Sequence, residues 1–227
     1  MENRVCVVCG IGPKNGASLA RRFHRAGYRV AMLSRSTQLS ASLAEEMGEG
    51  AKAYACDVAD GESVEAAFKQ VVEDLGPVHT LVFNAGSGVW GNIEELSASD
   101  FEQAFRVNAL GLFQTSQAVI GPMVERGEGA IVVVGATASL RGKPFTTAFA
   151  PAKAAQRSLA QAMARHLSPK GVHVSLMILD GRVGAPTGEE INTIDPDHIA
   201  DAAHFLATQP RSAWTFELDL RPHLESW

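Results

Sequence analysis

The densest chemical signal lies near the start of the chain, where Gly10, Gly12 and Gly16 enclose Lys14 and Asn15. Glycines at this spacing let a loop turn tightly and bring bare backbone N–H groups against phosphate oxygens. When such a loop follows an apolar strand and opens a helix, the phosphate it suits is the pyrophosphate of a dinucleotide. Folds of that kind often place a carboxylate about 20 residues on, against a ribose 2′-hydroxyl. Here the place holds Ser34-Arg35. A guanidinium is a fork of donors suited to a 2′-phosphate, so the pattern favours NADP(H) over NAD(H). Lys14 adds charge near the same phosphates. Two other motifs carry less. Cys6 and Cys9 form a C-x-x-C, but on a strand they point to opposite faces roughly 10 Å apart, too far for a disulfide. Asp180-Gly181 reads as a turn, or Asp180 as an acid or a partner for Arg182. With three cysteines and seven scattered histidines, no metal site is expected.

The elements that must position these residues alternate. Val5–Cys9 is an apolar run closed by glycine, as expected of a strand buried on both faces. Ala17–Ala26 puts Leu19, Phe23 and Ala26 on one helical face before Gly27. Strands are predicted over 29–33, 51–56, 80–83, 130–134, 172–178 and 215–220. Helices are predicted over 38–47, 63–75, 100–125, 149–167 and 197–208, the third of these continuous. Such alternation requires crossover helices on both faces of a parallel sheet. The expectation is one doubly wound α/β domain of Rossmann type over residues 1–227, with seven parallel strands.

Net charge is −5 and no Lys/Arg-rich run occurs, which disfavours nucleic acid or an acidic membrane as partner. The longest apolar stretches fall far short of the roughly 20 residues of a membrane span, and the N-terminus is too short for a signal peptide. A cytoplasmic location is expected.

Several motifs then combine. Gly10 to Gly16, Asp57-Val58 after the third strand, Asn84-Ala85-Gly86 after the fourth, Asn108 in the next helix and Lys153 on the long helix together resemble the short-chain dehydrogenase/reductase family. The resemblance covers almost the whole chain and implies roles. Asp57 would meet the adenine amino group, with Val58 beside the ring. Asn84, Ala85 and Gly86 would line the cofactor cleft, with Gly181 and Val183 near the nicotinamide amide. Asn108 would hold a water in a proton relay. Lys153 would bind the nicotinamide ribose and lower a tyrosine pKa. The resemblance also implies a homodimer or homotetramer built on the helices near 100–125 and 149–167.

The family's proton-handling pair is missing. Its tyrosine lies four residues before the lysine, where this chain has Phe149, and its serine thirteen before that, where it has Ala136. The only tyrosines, Tyr28 and Tyr54, belong to the adenosine side, and seven before Lys153 stands Thr146. Thr137 and Lys153 are the remaining candidates to supply a proton. His166 and His173 read as structural. A substrate lid shortened to about 185–197 is expected. Two readings stay open. One is an NADP(H)-dependent oxidoreductase acting on a carbonyl or activated double bond of a small molecule with a non-standard proton donor. The other is a catalytically silent nucleotide-binding protein that serves as sensor or assembly partner.

Overall fold

A computed structural model describes residues 4–184 and 193–225. Seven parallel strands form its sheet: β1 (Val5–Cys9), β2 (Arg29–Ser34), β3 (Ala51–Ala55), β4 (Val78–Phe83), β5 (Gly129–Ala136), β6 (Val172–Leu179) and β9 (Glu217–Leu220). Two two-residue strands, β7 (Arg182–Val183) and β8 (Thr193–Ile194), pair with each other beside it. Spatial order is β3-β2-β1-β4-β5-β6-β9, so the winding reverses between β1 and β4. Loops leaving those neighbours diverge there and open a crevice at the carboxyl edge.

The central strands β1 and β4 are buried at every residue, as expected where both faces are covered. Val7, Cys9, Phe83 and Val133 face α3 (Gly61–Leu75), α5 (Gly111–Glu125) and α6 (Phe149–Leu167). Cys6, Val8, Val82 and Val132 face α1 (Asn15–Arg25), α2 (Gln38–Met47) and α7 (Pro196–Ala207). Cys6 and Cys9 thus sit in separate halves of the core as free thiols.

The helix expected over 100–125 is interrupted. It consists of α4 (Ala98–Phe105), one π-helical turn Arg106–Leu110, and α5. The cause is local. The Asn108 side-chain amide donates to the Ala104 carbonyl at 2.9 Å, the acceptor a regular helix reserves for the Asn108 backbone N–H. One turn later Gly111 lies so close to Val58 that a Cβ would come within 2.9 Å of its methyl. The widened turn carries Asn108 to the end of the crevice. Most of the expected lid, 185–192, lies outside the described residues, as does the C-terminal Trp227.

Candidate functional site

A cleft of about 700 Å³ occupies the crevice between the β1 and β4 loops. Of the residues expected to hold a dinucleotide, Gly10, Gly12, Lys14, Asn15, Gly16, Ser34, Arg35, Asp57, Val58, Asn84, Ala85, Gly86 and Val183 line it. The glycine loop is fastened at its base. Gly10 N–H donates to the Leu33 carbonyl at 2.9 Å, and the Asn84 amide donates to the Gly10 carbonyl at 2.6 Å. Gly10 has φ +93°, and a Cβ there would lie 2.5 Å from the Ala85 nitrogen. Gly12, by contrast, has open space where its Cβ would be. The α1 N-terminus at Asn15 and Gly16 lines the same wall with no acidic residue in its first turn, which suits an anionic phosphate.

Gly10→Ala is therefore expected to lower stability by about 2–4 kcal/mol, from a positive φ plus a backbone clash. Dinucleotide affinity should fall with it. Thermal unfolding and NADPH titration check this; an unchanged melting temperature would contradict the geometry.

At the rim Arg35 is exposed, while the Ser34 hydroxyl donates to the Ser36 carbonyl at 2.8 Å. Asp57 accepts from the Ala59 N–H at 3.0 Å, which aims its carboxylate back at its own turn. Lys14 reaches across to the Val183 carbonyl at 2.6 Å and ties the glycine loop to the segment after β6. Cys56, which the sequence reading did not select, also lines the cleft. Burial pushes its thiol up to about 11, so it stays protonated. Gly181 is not part of the wall. At φ +149° it abuts Pro222, 2.8 Å from where its Cβ would be.

Lys153 and Asn108 lie just behind Gly86. A Cβ on that glycine would stand 3.4 Å from Asn108 Oδ1 and 3.8 Å from Lys153 Nζ. Asn108 is fully buried and its Oδ1 has no partner among the described residues. Lys153 is 6% exposed, with its ammonium on the Val134 carbonyl at 3.0 Å and Gln156 Oε1 at 2.9 Å. Burial drives its pKa down to about 8. The other end of the Gln156 amide donates to the main-chain carbonyl of Asn108 at 3.1 Å. Gln156 thus spans the gap in which the resemblance implies a relay water. Sequence reasoning missed it, although a polar residue three after Lys153 shares its helix face.

Phe149 opens α6 one turn before Lys153, its ring centroid 6.0 Å from Nζ. Ala136 ends β5. The Thr137 hydroxyl donates to the Leu179 carbonyl at 3.2 Å, so its proton is engaged by the adjacent strand. His173 stacks on Trp214 at 4.8 Å, remote from the cleft residues.

Asp180 corrects an expectation. It neither partners Arg182 nor simply turns the chain. It is buried, with Arg221 at 3.0 Å and Arg141 at 3.8 Å, and its N–H extends the β6–β9 pairing to Leu220. Both arginines are remote from it in the chain, so local sequence could not announce them.

The sequence profile of the short chain dehydrogenase family matches residues 4–193. The chain belongs to that family. It is 32% identical over 192 residues to the inactive 2-(S)-hydroxypropyl-CoM dehydrogenase 2 of Xanthobacter autotrophicus, covering 85% of this chain and 83% of that one. A short-chain dehydrogenase from Rhodopseudomonas palustris superposes with a TM-score of 0.87 at 31% identity, covering 98% of this chain and 100% of the other. A metagenomic short-chain oxidoreductase in complex with NADP does so at 0.87 and 26% identity, covering 98% of each. Among the described residues no helix is long and apolar enough to cross a membrane.

Proposed function

We propose that this member of the family is an NADP(H)-dependent oxidoreductase that reduces a carbonyl or activated double bond without a tyrosine acid. The observation that carries the reading is Lys153. A buried ammonium with two neutral acceptors and no carboxylate partner among the described residues costs stability, and perturbed groups of this kind mark working sites. The residues present fit the dinucleotide. The glycine loop and α1 N-terminus would hold the pyrophosphate, Arg35 the 2′-phosphate, and Lys153 the ribose beside the nicotinamide. The group would supply a hydride. The protein contributes the seat, the orientation, and a positive charge beside the developing oxyanion; in place of the missing acid the proton comes from Lys153 or water.

A second reading, a silent nucleotide-binding protein, is favoured by Phe149 and Ala136 and by a relative whose own name is inactive. For either reading, Phe113 on α5 and Ala154 and Ala162 on α6, all at least partly exposed, favour pairing of these helices in a homodimer or homotetramer.

Titration by dinucleotide fluorescence tests the seat. NADPH is expected to bind more tightly than NADH, and Arg35→Ala to weaken NADPH by about tenfold while leaving NADH unchanged. Binding of neither dinucleotide sinks both readings; binding without turnover on any carbonyl or enone leaves the silent one.

A further inference from the structure

Beyond Gly88 the cleft meets a wall of aromatic rings that the dinucleotide does not need. Trp90 is 57% exposed and Phe145 52%, and Phe149 is partly exposed beside them. Trp90 lies 4.9 Å from Phe149 and 5.9 Å from Phe145, centroid to centroid, at tilts of 40° and 36°. The rings are built in. Gly91 N–H donates to the Phe145 carbonyl at 2.9 Å and Thr147 N–H to the Gly91 carbonyl at 3.3 Å, which fastens the two loops that carry them. Continuity with the cleft is direct: Gly88 lines it, and a Cβ there would stand 2.8 Å from the Trp90 indole nitrogen.

We propose that Trp90, Phe145 and Phe149 form the stacking site for a flat conjugated carbonyl compound, an enone or quinone, at the substrate end of the cleft. Two independent features select that class. First, the three threonine hydroxyls around the rings are engaged by backbone carbonyls: Thr146 donates to the Lys143 carbonyl, Thr147 to Pro144 and Thr137 to Leu179. A sugar or an acid would surrender its hydrogen bonds to water and gain few, whereas a planar ring gains π-faces. Second, the site lacks the tyrosine and serine pair that would hand a proton efficiently to a simple ketone. Hydride added to an isolated carbonyl carbon leaves an alkoxide, which needs a proton at once. Added to the β-carbon of a conjugated carbonyl, it forms a C–H bond there and moves the C=C pair toward the carbonyl oxygen. The resulting enolate is delocalised and takes its proton from water. The electron pair comes from a reduced nicotinamide, which is oxidised by two electrons.

The fate of the ligand rests on the oxidoreductase reading; the stacking does not. The test is calorimetric titration with 2-methyl-1,4-naphthoquinone without dinucleotide, beside a separate NADPH titration. Saturable binding is expected, weakened about tenfold or more in Trp90→Leu and in Phe145→Ala, each checked for native circular dichroism. The saturated bicyclic ketone 2-decalone should bind at least about tenfold more weakly than the quinone. Equal affinity for the two, or no quinone binding by a protein that binds NADPH, overturns the stacking site and leaves the oxidoreductase reading standing. Quinone binding lost with Trp90, in a protein that binds no NADPH, does the reverse. If the wall is instead covered by a second copy, Trp90 emission is shielded from iodide and Trp90→Leu dissociates the assembly in light scattering; that result also overturns the site.

Discussion

A chain carrying Phe149→Tyr together with Ala136→Ser is expected to reduce simple unconjugated ketones about 10²–10⁴-fold faster than the natural sequence. The added hydroxyl groups would stand where both missing donors belong. Phe149 sits one helical turn before Lys153, and Phe149→Tyr keeps the ring against Trp90 while adding a phenol near the ammonium. A positive charge within a few ångströms favours phenolate and brings the phenol toward a useful pKa. Ala136→Ser puts its hydroxyl at the end of β5, one residue from Thr137, whose own proton is held by Leu179. The gain should be uneven. An enone or quinone, whose adduct needs no strong acid, should gain less than about tenfold. Steady-state kcat with NADPH on a matched ketone and enone measures both. A folded, NADPH-binding double variant with no gain on the ketone would mean that proton supply is not what the natural site lacks.

The sheet and its helices were legible because their periods are strong. Continuous apolar runs gave β1 and β5, and glycines after helices marked where chains turn back. The cleft was legible for a related reason: close backbone approach demands Gly10 and the Asn84 amide is fixed to the Gly10 carbonyl, and such relations recur as a motif. What escaped depends on contacts between distant segments. Asp180 finds its arginines at 141 and 221. Gln156 matters only because α6 lays it against the π turn at Asn108. That π turn is a hydrogen-bond choice by one side chain, invisible to a helical hydrophobic pattern. The aromatic wall needs rings from two distant segments, Trp90 on one and Phe145 with Phe149 on the other, joined at the bridge between Gly91 and Thr146. None of these has a spacing rule, so none could be read from the residues in line.

Lys153→Met should make the protein more stable and less able to bind NADPH. A side chain of similar length would fill the same slot with no charge to bury. The natural ammonium has a folded pKa of about 8 against an ordinary 10.5. Because the folded pKa is the lower one, folding disfavours the charged form. Below pH 8 both states carry the proton and the folded state bears the full penalty, about 3 kcal/mol by linkage. Between pH 8 and 10.5 the folded group is neutral while the unfolded one still holds its proton, so the penalty shrinks as pH rises. Above 10.5 it vanishes. The advantage of Lys153→Met should therefore be largest at neutral pH and close between about pH 8 and 10.5. Loss of the hydrogen bonds to Gln156 Oε1 and the Val134 carbonyl offsets part of the gain, by about 1 kcal/mol each. Denaturant unfolding of both proteins at about pH 7 and about pH 10, with NADPH titration alongside, reads each part. A variant less stable than the natural chain at neutral pH would show that Gln156 and Val134 compensate the ammonium in full. A stabilised variant that binds NADPH as before would remove Lys153 from the cofactor seat. The expected pairing, stability gained and affinity lost, is the mark of a side chain held in place for work rather than for the fold.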